Sequence, residues 1–251
     1  MSNSADPIKY EYDGYPRSGE VIDIFPGLKW LRLPLPFALA HINVWLLRDG
    51  HGWALVDTGI STRTTREVWE KVLRDQLADV PLKRVLVTHL HPDHVGCAGW
   101  LCELFGVELF MPRDEYLLCR ILVADTGLPA PKEGRRFYHA AGFSEEQMHR
   151  YIELFGAFGR FVSPLPRAYR RLHDGQTVNI GENEWQVIIG RGHSPEHACL
   201  YCPDQNVLIS GDQILPGISS NVSVYPTEPA ANPLAWWFES LHALKMKLPD
   251  D

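Results

Sequence analysis

No apolar run in this chain comes near the roughly 20 residues that a membrane-crossing helix requires. The first stretch, Met1 to Tyr15, has neither the basic start nor the apolar segment of a secretory signal, so a cytoplasmic location is the expectation. Cysteine is scarce: Cys97, Cys102, Cys119, Cys199 and Cys202 make five in 251 residues, odd in number and too sparse for a secreted disulfide framework. Basic residues are also short, 24 against 31 acidic for a net charge of −7. That balance argues against nucleic acid, whose phosphates need clustered Lys and Arg, and against anionic membranes. Internal repeats and low-complexity tracts are absent. What remains is an ordinary globular composition, 45% hydrophobic and 22% charged, in a chain long enough to bury a substantial core. The expected partner is a small molecule, and oligomeric state is left open.

Apolar β-rich runs at Trp30–Leu33, Ile42–Leu47 and Trp53–Val56, broken by Pro34, Pro36 and the turn Asp49-Gly50, predict two or three antiparallel strands. Val68, Trp69, Val72, Leu73 and Leu77 recur at helical spacing within Arg63–Leu77. A short buried strand over Arg84–Thr88 follows, then a helix over Val95–Phe105 ended by Gly106, then a strand over Val107–Met111. The stretch from 112 to 166 is rich in helix formers and reads as a helical insertion, with Ser144 and Gln147 forming a capping box at the start of a helix to about Phe155. Strands return at Tyr169–Leu172, Thr177–Ile180, Trp185–Ile189, Ala198–Cys202 and Val207–Ser210, and Asn232-Pro233 starts a final helix to about Lys247. The fold class is α/β, a layered sandwich over residues 29–251 preceded by an N-terminal arm, 1–28. Cys199 and Cys202 have the C-x-x-C spacing of redox and zinc motifs. On a strand, however, positions three apart face opposite sides, so two packing cysteines are expected.

The densest chemical signal is Thr88-His89-Leu90-His91-Pro92-Asp93-His94-Val95-Gly96, three imidazoles and a carboxylate within six positions at the end of a strand. Neutral imidazole and carboxylate are ligands for zinc and similar divalent metals. His89 and His91 can share one direction; Asp93 and His94 can turn toward a neighbouring point as a helix begins. Further ligands are available in similar settings. His193 follows a strand in Gly-Arg-Gly-His-Ser-Pro-Glu-His, and Asp212 follows another in Ser-Gly-Asp. One rim of the sandwich would collect the set. His197 is read as making a supporting hydrogen bond in preference to direct ligation, and His242 as a surface or packing residue.

Together the H-x-H-x-D-H cluster, the later Gly-His-Ser-Pro-x-His and the Ser-Gly-Asp resemble the metallo-β-lactamase superfamily, and the resemblance runs from about Lys29 onward. It implies an αββα sandwich and two metal sites. His89, His91 and His193 would hold one metal, Asp93 and His94 the second, and Asp212 would bridge them. Val56-Asp57-Thr58-Gly59 resembles the family's early acidic motif, in which Asp57 organises the site without binding metal. Where the family commonly has Gly, this chain has Glu196. The implied activity is a metal-dependent hydrolase in which a metal-activated hydroxide attacks an ester, thioester or lactone carbonyl, with Asp93 also orienting the water. Zinc is the expected metal, iron or manganese the alternatives. The insertion is the place for substrate choice, with Tyr138, His139 and Asn221 as candidate substrate-binding residues.

Members of the superfamily usually supply a last His from a loop after one more strand, and no residue here matches it. The expectation is therefore a partial gene product lacking that closing strand, whose second metal, held by Asp93, His94 and Asp212 alone, binds more weakly. An iron-dependent oxidative enzyme and a catalytically weak metal-binding protein are the competing readings. Antibiotic hydrolysis and RNA processing are disfavoured by the missing secretion signal and the acidic balance.

Overall fold

The computed structural model describes residues 8–10, 12, 14–36, 39–78 and 80–249; the first seven residues of the expected arm lie outside them. Strands β1 (Val21–Phe25), β2 (Leu28–Pro34), β3 (His41–Asp49) and β4 (Gly52–Val56) form an antiparallel meander. After helix α1 (Arg63–Asp75), strands β5 (Leu82–Leu86), β6 (Glu108–Pro112) and β7 (Arg170–Leu172) extend the same sheet in parallel, giving seven strands in chain order. Short helices α2 (Pro92–Val95) and α3 (Ala98–Phe105) connect β5 to β6. Helices α4 (Arg113–Ala124), α5 (Lys132–Ala140) and α6 (Glu145–Leu154) and the 3₁₀ turn Phe158–Arg160 fill the connection from β6 to β7. The second sheet is antiparallel, β8 (Thr177–Ile180), β9 (Asn183–Gly190), β10 (His197–Cys202) and β11 (Val207–Ile209), and helix α7 (Pro233–Lys247) follows.

Side-chain alternation turns these elements into four layers. On β4, Trp53 and Leu55 join α1 and α3 residues such as Trp69, Val72 and Leu101 in one core, while Ala54 and Val56 face the second sheet. On β10, Ala198, Leu200 and Cys202 meet them from across the sandwich, and Cys199 and Tyr201 point outward against Leu244 of α7. Helix, sheet, sheet, helix is thus the stacking that buries both faces of both sheets. The C-x-x-C pair divides between two cores, and both thiols are free and buried. Among the described residues no helix is long and apolar enough to cross a membrane.

Two local expectations are corrected. The sheet begins inside the stretch read as an arm: Gly27, at a φ of 97°, turns Val21–Phe25 back onto β2, with Val21 opposite Leu31. The helix expected over Val95–Phe105 is two, because the Gly96 carbonyl accepts from Ser163 N (2.7 Å) and Ser163 Oγ (2.7 Å) and so leaves the helical ladder.

Candidate metal centre

All the clustered histidines sit where strands end. Beyond β5 the chain continues through Val87, whose N–H donates to Phe110 O at 2.9 Å, and Thr88, whose carbonyl accepts from Ala198 N at 2.9 Å. That second bond joins β5 to β10, so the two sheets meet under the histidines. Asp57 leaves β4 in the left-handed region, φ 63°, a conformation that Asp tolerates better than most residues. Its carboxylate accepts from Thr88 N (2.8 Å), from Thr88 Oγ1 (2.9 and 3.1 Å) and from His94 Nδ1 (2.8 Å). His94 is held from its other side as well, its carbonyl accepting from Thr58 N at 2.8 Å and Thr58 Oγ1 at 2.7 Å. Asp57 thus ties the first ligand loop to β4.

These bonds fix which ring nitrogens carry protons. The Thr88 hydroxyl gives its one hydrogen to Asp57, so it accepts from His89 Nδ1 at 3.0 Å and leaves the His89 Nε2 lone pair facing inward. His193 Nδ1 donates to the Asn221 carbonyl at 2.9 Å, which frees its Nε2. Inside, His89 Nε2 lies 2.9 Å from His91 Nδ1 and 3.2 Å from His193 Nε2. The lone pairs of His89 and His193 therefore confront one another in a buried space, an arrangement that a cation relieves.

A second group, His94 with Asp212, adjoins the first through His89. Asp212 presents Oδ1 to His94 Nε2 at 3.3 Å and Oδ2 to His193 Nε2 at 3.6 Å, one oxygen to each group. The buried His94 Nε2 has no hydrogen-bond partner. Asp93 stands 3.7 Å from that nitrogen, part-exposed at the start of α2, and neither compact group includes it. His197 is fully buried and accepts from Asp212 N at 3.0 Å, fixing the backbone that carries the bridging carboxylate. Gly211 makes that approach feasible: at φ 49°, a Cβ there would sit 2.6 Å from the His197 ring. The donor set of imidazoles and carboxylates fits a divalent metal.

Electrostatics separates the two groups. Burial, then the neighbouring imidazoles, pushes His89 well below its ordinary value, and burial with His193 and His94 takes His91 to about 3. Burial lowers His193 as well, and His197 further. For His94 burial opposes the charge, but Asp57, Asp212 and Asp93 outweigh it and raise the pKa well above the usual range. Burial likewise opposes ionisation of Asp212, yet His94 and then His193 hold its carboxyl well below the carboxylate norm.

The proposed substrate residues are differently placed. Tyr138 packs its half-buried ring on Phe143, Tyr151 and Phe137, with centroids 4.6, 4.5 and 5.1 Å away. Burial and then the Tyr151 and Tyr225 phenols raise its pKa, which sets α5 beside the turn that follows Asn221. His139 is exposed near the end of α5. Asn221 acts through its carbonyl on His193, while its side chain accepts from Ser223 Oγ at 2.9 Å. Sequence reasoning missed Glu115. Fully buried in the first turn of α4, it accepts from Leu90 N at 2.8 Å and Glu196 N at 2.7 Å. Burial lifts its pKa to about 7 against the pull of those N–H groups and of Ser194. Glu196, the departure from the family's Gly, accepts from Asp114 N at 2.9 Å.

The sequence model of the metallo-beta-lactamase superfamily matches residues 39–248. A beta-lactamase domain protein from Burkholderia ambifaria is 41% identical, with a TM-score of 0.84 over 95% of this chain and 69% of its own. A metallo-beta-lactamase family protein from Thermus thermophilus is 28% identical, with a TM-score of 0.66 over 88% of this chain and 70% of its own. Among curated relatives, the acyl-coenzyme A thioesterase MBLAC2 of Bos taurus is 25% identical over 198 residues, 76% of this chain. A protein of Aquifex aeolicus is 28% identical over 149 residues, 59% of this chain. The chain spans 64% and 56% of the length of those two relatives.

Proposed function

Given that the chain belongs to the metallo-β-lactamase superfamily, we propose that it is a metal-dependent hydrolase acting on the thioester carbonyl of a small acyl substrate. The observation that carries the reading is the inward convergence of the His89, His91 and His193 nitrogens beside His94 and Asp212. His89, His91 and His193 would hold one divalent cation, zinc in this reading; His94 and Asp93 would hold the other, with Asp212 shared between them. Such a pair of cations lowers the pKa of a shared water toward neutrality and polarises a carbonyl oxygen. The chain's own groups do the positioning. Asp57 and the Asn221 carbonyl fix the rings of His94 and His193, and Asp93, part-exposed at the rim, accepts a hydrogen bond from the incoming water.

Two considerations favour a thioester among the carbonyl substrates. Curated relatives with the acyl-coenzyme A thioesterase name align over about three quarters of this chain. Beside the site, the segment that carries Asn221 also exposes Ile214, Ile218, Val224 and Tyr225, an apolar shore for an acyl chain. A thiolate leaving group, whose thiol has a pKa of about 8.5, departs without the protonation that an amine requires. The test is thiol release from acyl-coenzyme A esters of graded length by zinc-loaded protein, run beside a lactone and a β-lactam. Thioester turnover that rises with chain length is expected. Protein carrying its full metal complement but inert toward every thioester would overturn the reading.

The pKa pattern adds a prediction about loading. At pH 6.5 the first group is already largely uncharged, since its pKa values are lowered, so filling it releases little proton. His94 is raised and must give up its proton to ligate. Affinity of the second site therefore rises about tenfold per pH unit up to that raised pKa, and about one proton leaves with the second equivalent. Titration calorimetry in two buffers of different ionisation enthalpy reads this directly. Equal proton release for both equivalents would contradict the assignment.

A further inference from the structure

We infer that Glu115 is a positioning residue that sets the spacing between the two ligand-bearing loops and couples the helical insertion to the metal centre. This rests on the metal-hydrolase reading above. One Glu115 carboxylate spans both loops: Oε2 takes the Leu90 N–H, between His89 and His91, and Oε1 takes the Glu196 N–H, three residues beyond His193. The grip is returned, because the Glu196 carboxylate caps α4 at Asp114 N, with its other oxygen 3.7 Å from Arg171 Nη2. Leu90 and Glu196 are 106 positions apart in sequence, and the clasp fixes their separation at the scale of a single carboxylate.

The hydrogen-bond partners of Glu115 are two backbone N–H groups, neither of them charged. Burying a carboxylate without a cation is costly, and a neutral apolar residue would fill the space at α4's foot at lower cost. What only a two-oxygen acceptor supplies is simultaneous hold on both loops. Gln supplies one acceptor and turns an NH₂ toward the other N–H. The first element of the insertion therefore carries the brace, and any movement of α4 on the sheet is transmitted to the His89–His91 and His193 loops together.

The test is zinc affinity by chelator competition, with hydrogen exchange at Leu90, Asp114 and Glu196, in the wild type, Glu115→Gln and Glu196→Ala. For Glu115→Gln, tight-site affinity is expected to fall about 10- to 100-fold, the range for groups that orient ligands, with kcat reduced and KM little changed. Zinc is expected to slow exchange at Asp114 in the wild type and to lose that effect in the variant. Glu196→Ala removes only the returned grip and gives a smaller loss in the same direction, which decides the matter should Glu115→Gln not fold. Wild-type affinity in both variants, with zinc still protecting Asp114, would overturn the inference. Wild-type protein that binds no zinc would instead defeat the metal-hydrolase reading.

Discussion

Replacing His89 with alanine should empty the first cation site and lower kcat/KM by about 10³-fold or more, on the order of 4 kcal/mol of transition-state stabilisation. The His89 Nδ1 is engaged with Thr88, so its one free lone pair, on Nε2, serves the cation held with His91 and His193. Its ring centroid lies 4.6 Å from His91, 4.1 Å from His94 and 4.8 Å from His193, with His197 stacked at 4.7 Å on the remaining side. His91→Ala removes a ligand from the same site, and both variants should leave His94, Asp93 and Asp212 able to take the second cation. Metal content after exhaustive dialysis, measured by mass spectrometry beside thioester turnover, reads the loss of the first equivalent in both variants. The metal-free His89→Ala protein should unfold no more easily than metal-free wild type, because the substitution relieves the confrontation of the His89 and His193 lone pairs at 3.2 Å. Ligand clusters are kept for function at a cost in stability. Two retained equivalents of metal in His89→Ala, with activity within tenfold of wild type, would refute the assignment of His89 to the first site.

Much of this arrangement was legible in the chain because the signals are local. His89, His91, Asp93 and His94 are neighbours in sequence, so a strand followed by one helical turn delivers them together. The capping box at Ser144 and Gln147 and the Asn232–Pro233 start of α7 are also local, and both stand as expected. Strand alternation told correctly that Cys199 and Cys202 face different cores. What was not legible depends on distance. Glu115 looks like any acid in a first helical turn, where the helix dipole favours negative charge, and its role appears only through contacts 25 and 81 residues away. The same holds for β1, an edge strand whose half-buried residues give no clean alternation until β2 pairs with it. Around Tyr138 the sequence shows an aromatic run but not that α6 brings Tyr151 to its ring. Side chains that act by bridging elements carry no mark in their own neighbourhood.

Asp57 gives the second large effect, and it acts on two properties at once. Its carboxylate serves three buried donors: Thr88 N, Thr88 Oγ1 and His94 Nδ1. Asp57→Ala leaves them without an acceptor, and since an unsatisfied buried polar group costs about 1–3 kcal/mol, the fold should lose about 3 kcal/mol or more, read as a lower urea midpoint at unchanged m-value. Asp57→Asn keeps the shape and isolates the chemistry. An amide has one acceptor oxygen; if that oxygen stays on Thr88, its NH₂ faces His94 Nδ1 and donates to it. The His94 proton then moves to Nε2, the atom that faces Asp212 at 3.3 Å, and the ring can no longer offer that lone pair to a cation. The His94 site should therefore weaken about 10- to 100-fold, as expected for a partner that fixes a ligand's tautomer, while the His89, His91 and His193 group keeps its affinity. Loss of the Asp57 charge also removes the leading support for the raised pKa of His94, so the proton released with the second equivalent should fall toward zero in a calorimetric titration. An Asp57→Asn protein that bound both equivalents with wild-type affinity and proton release would show that His94 is oriented by something other than Asp57, and the link from β4 to the ligand loop would then be one of folding alone.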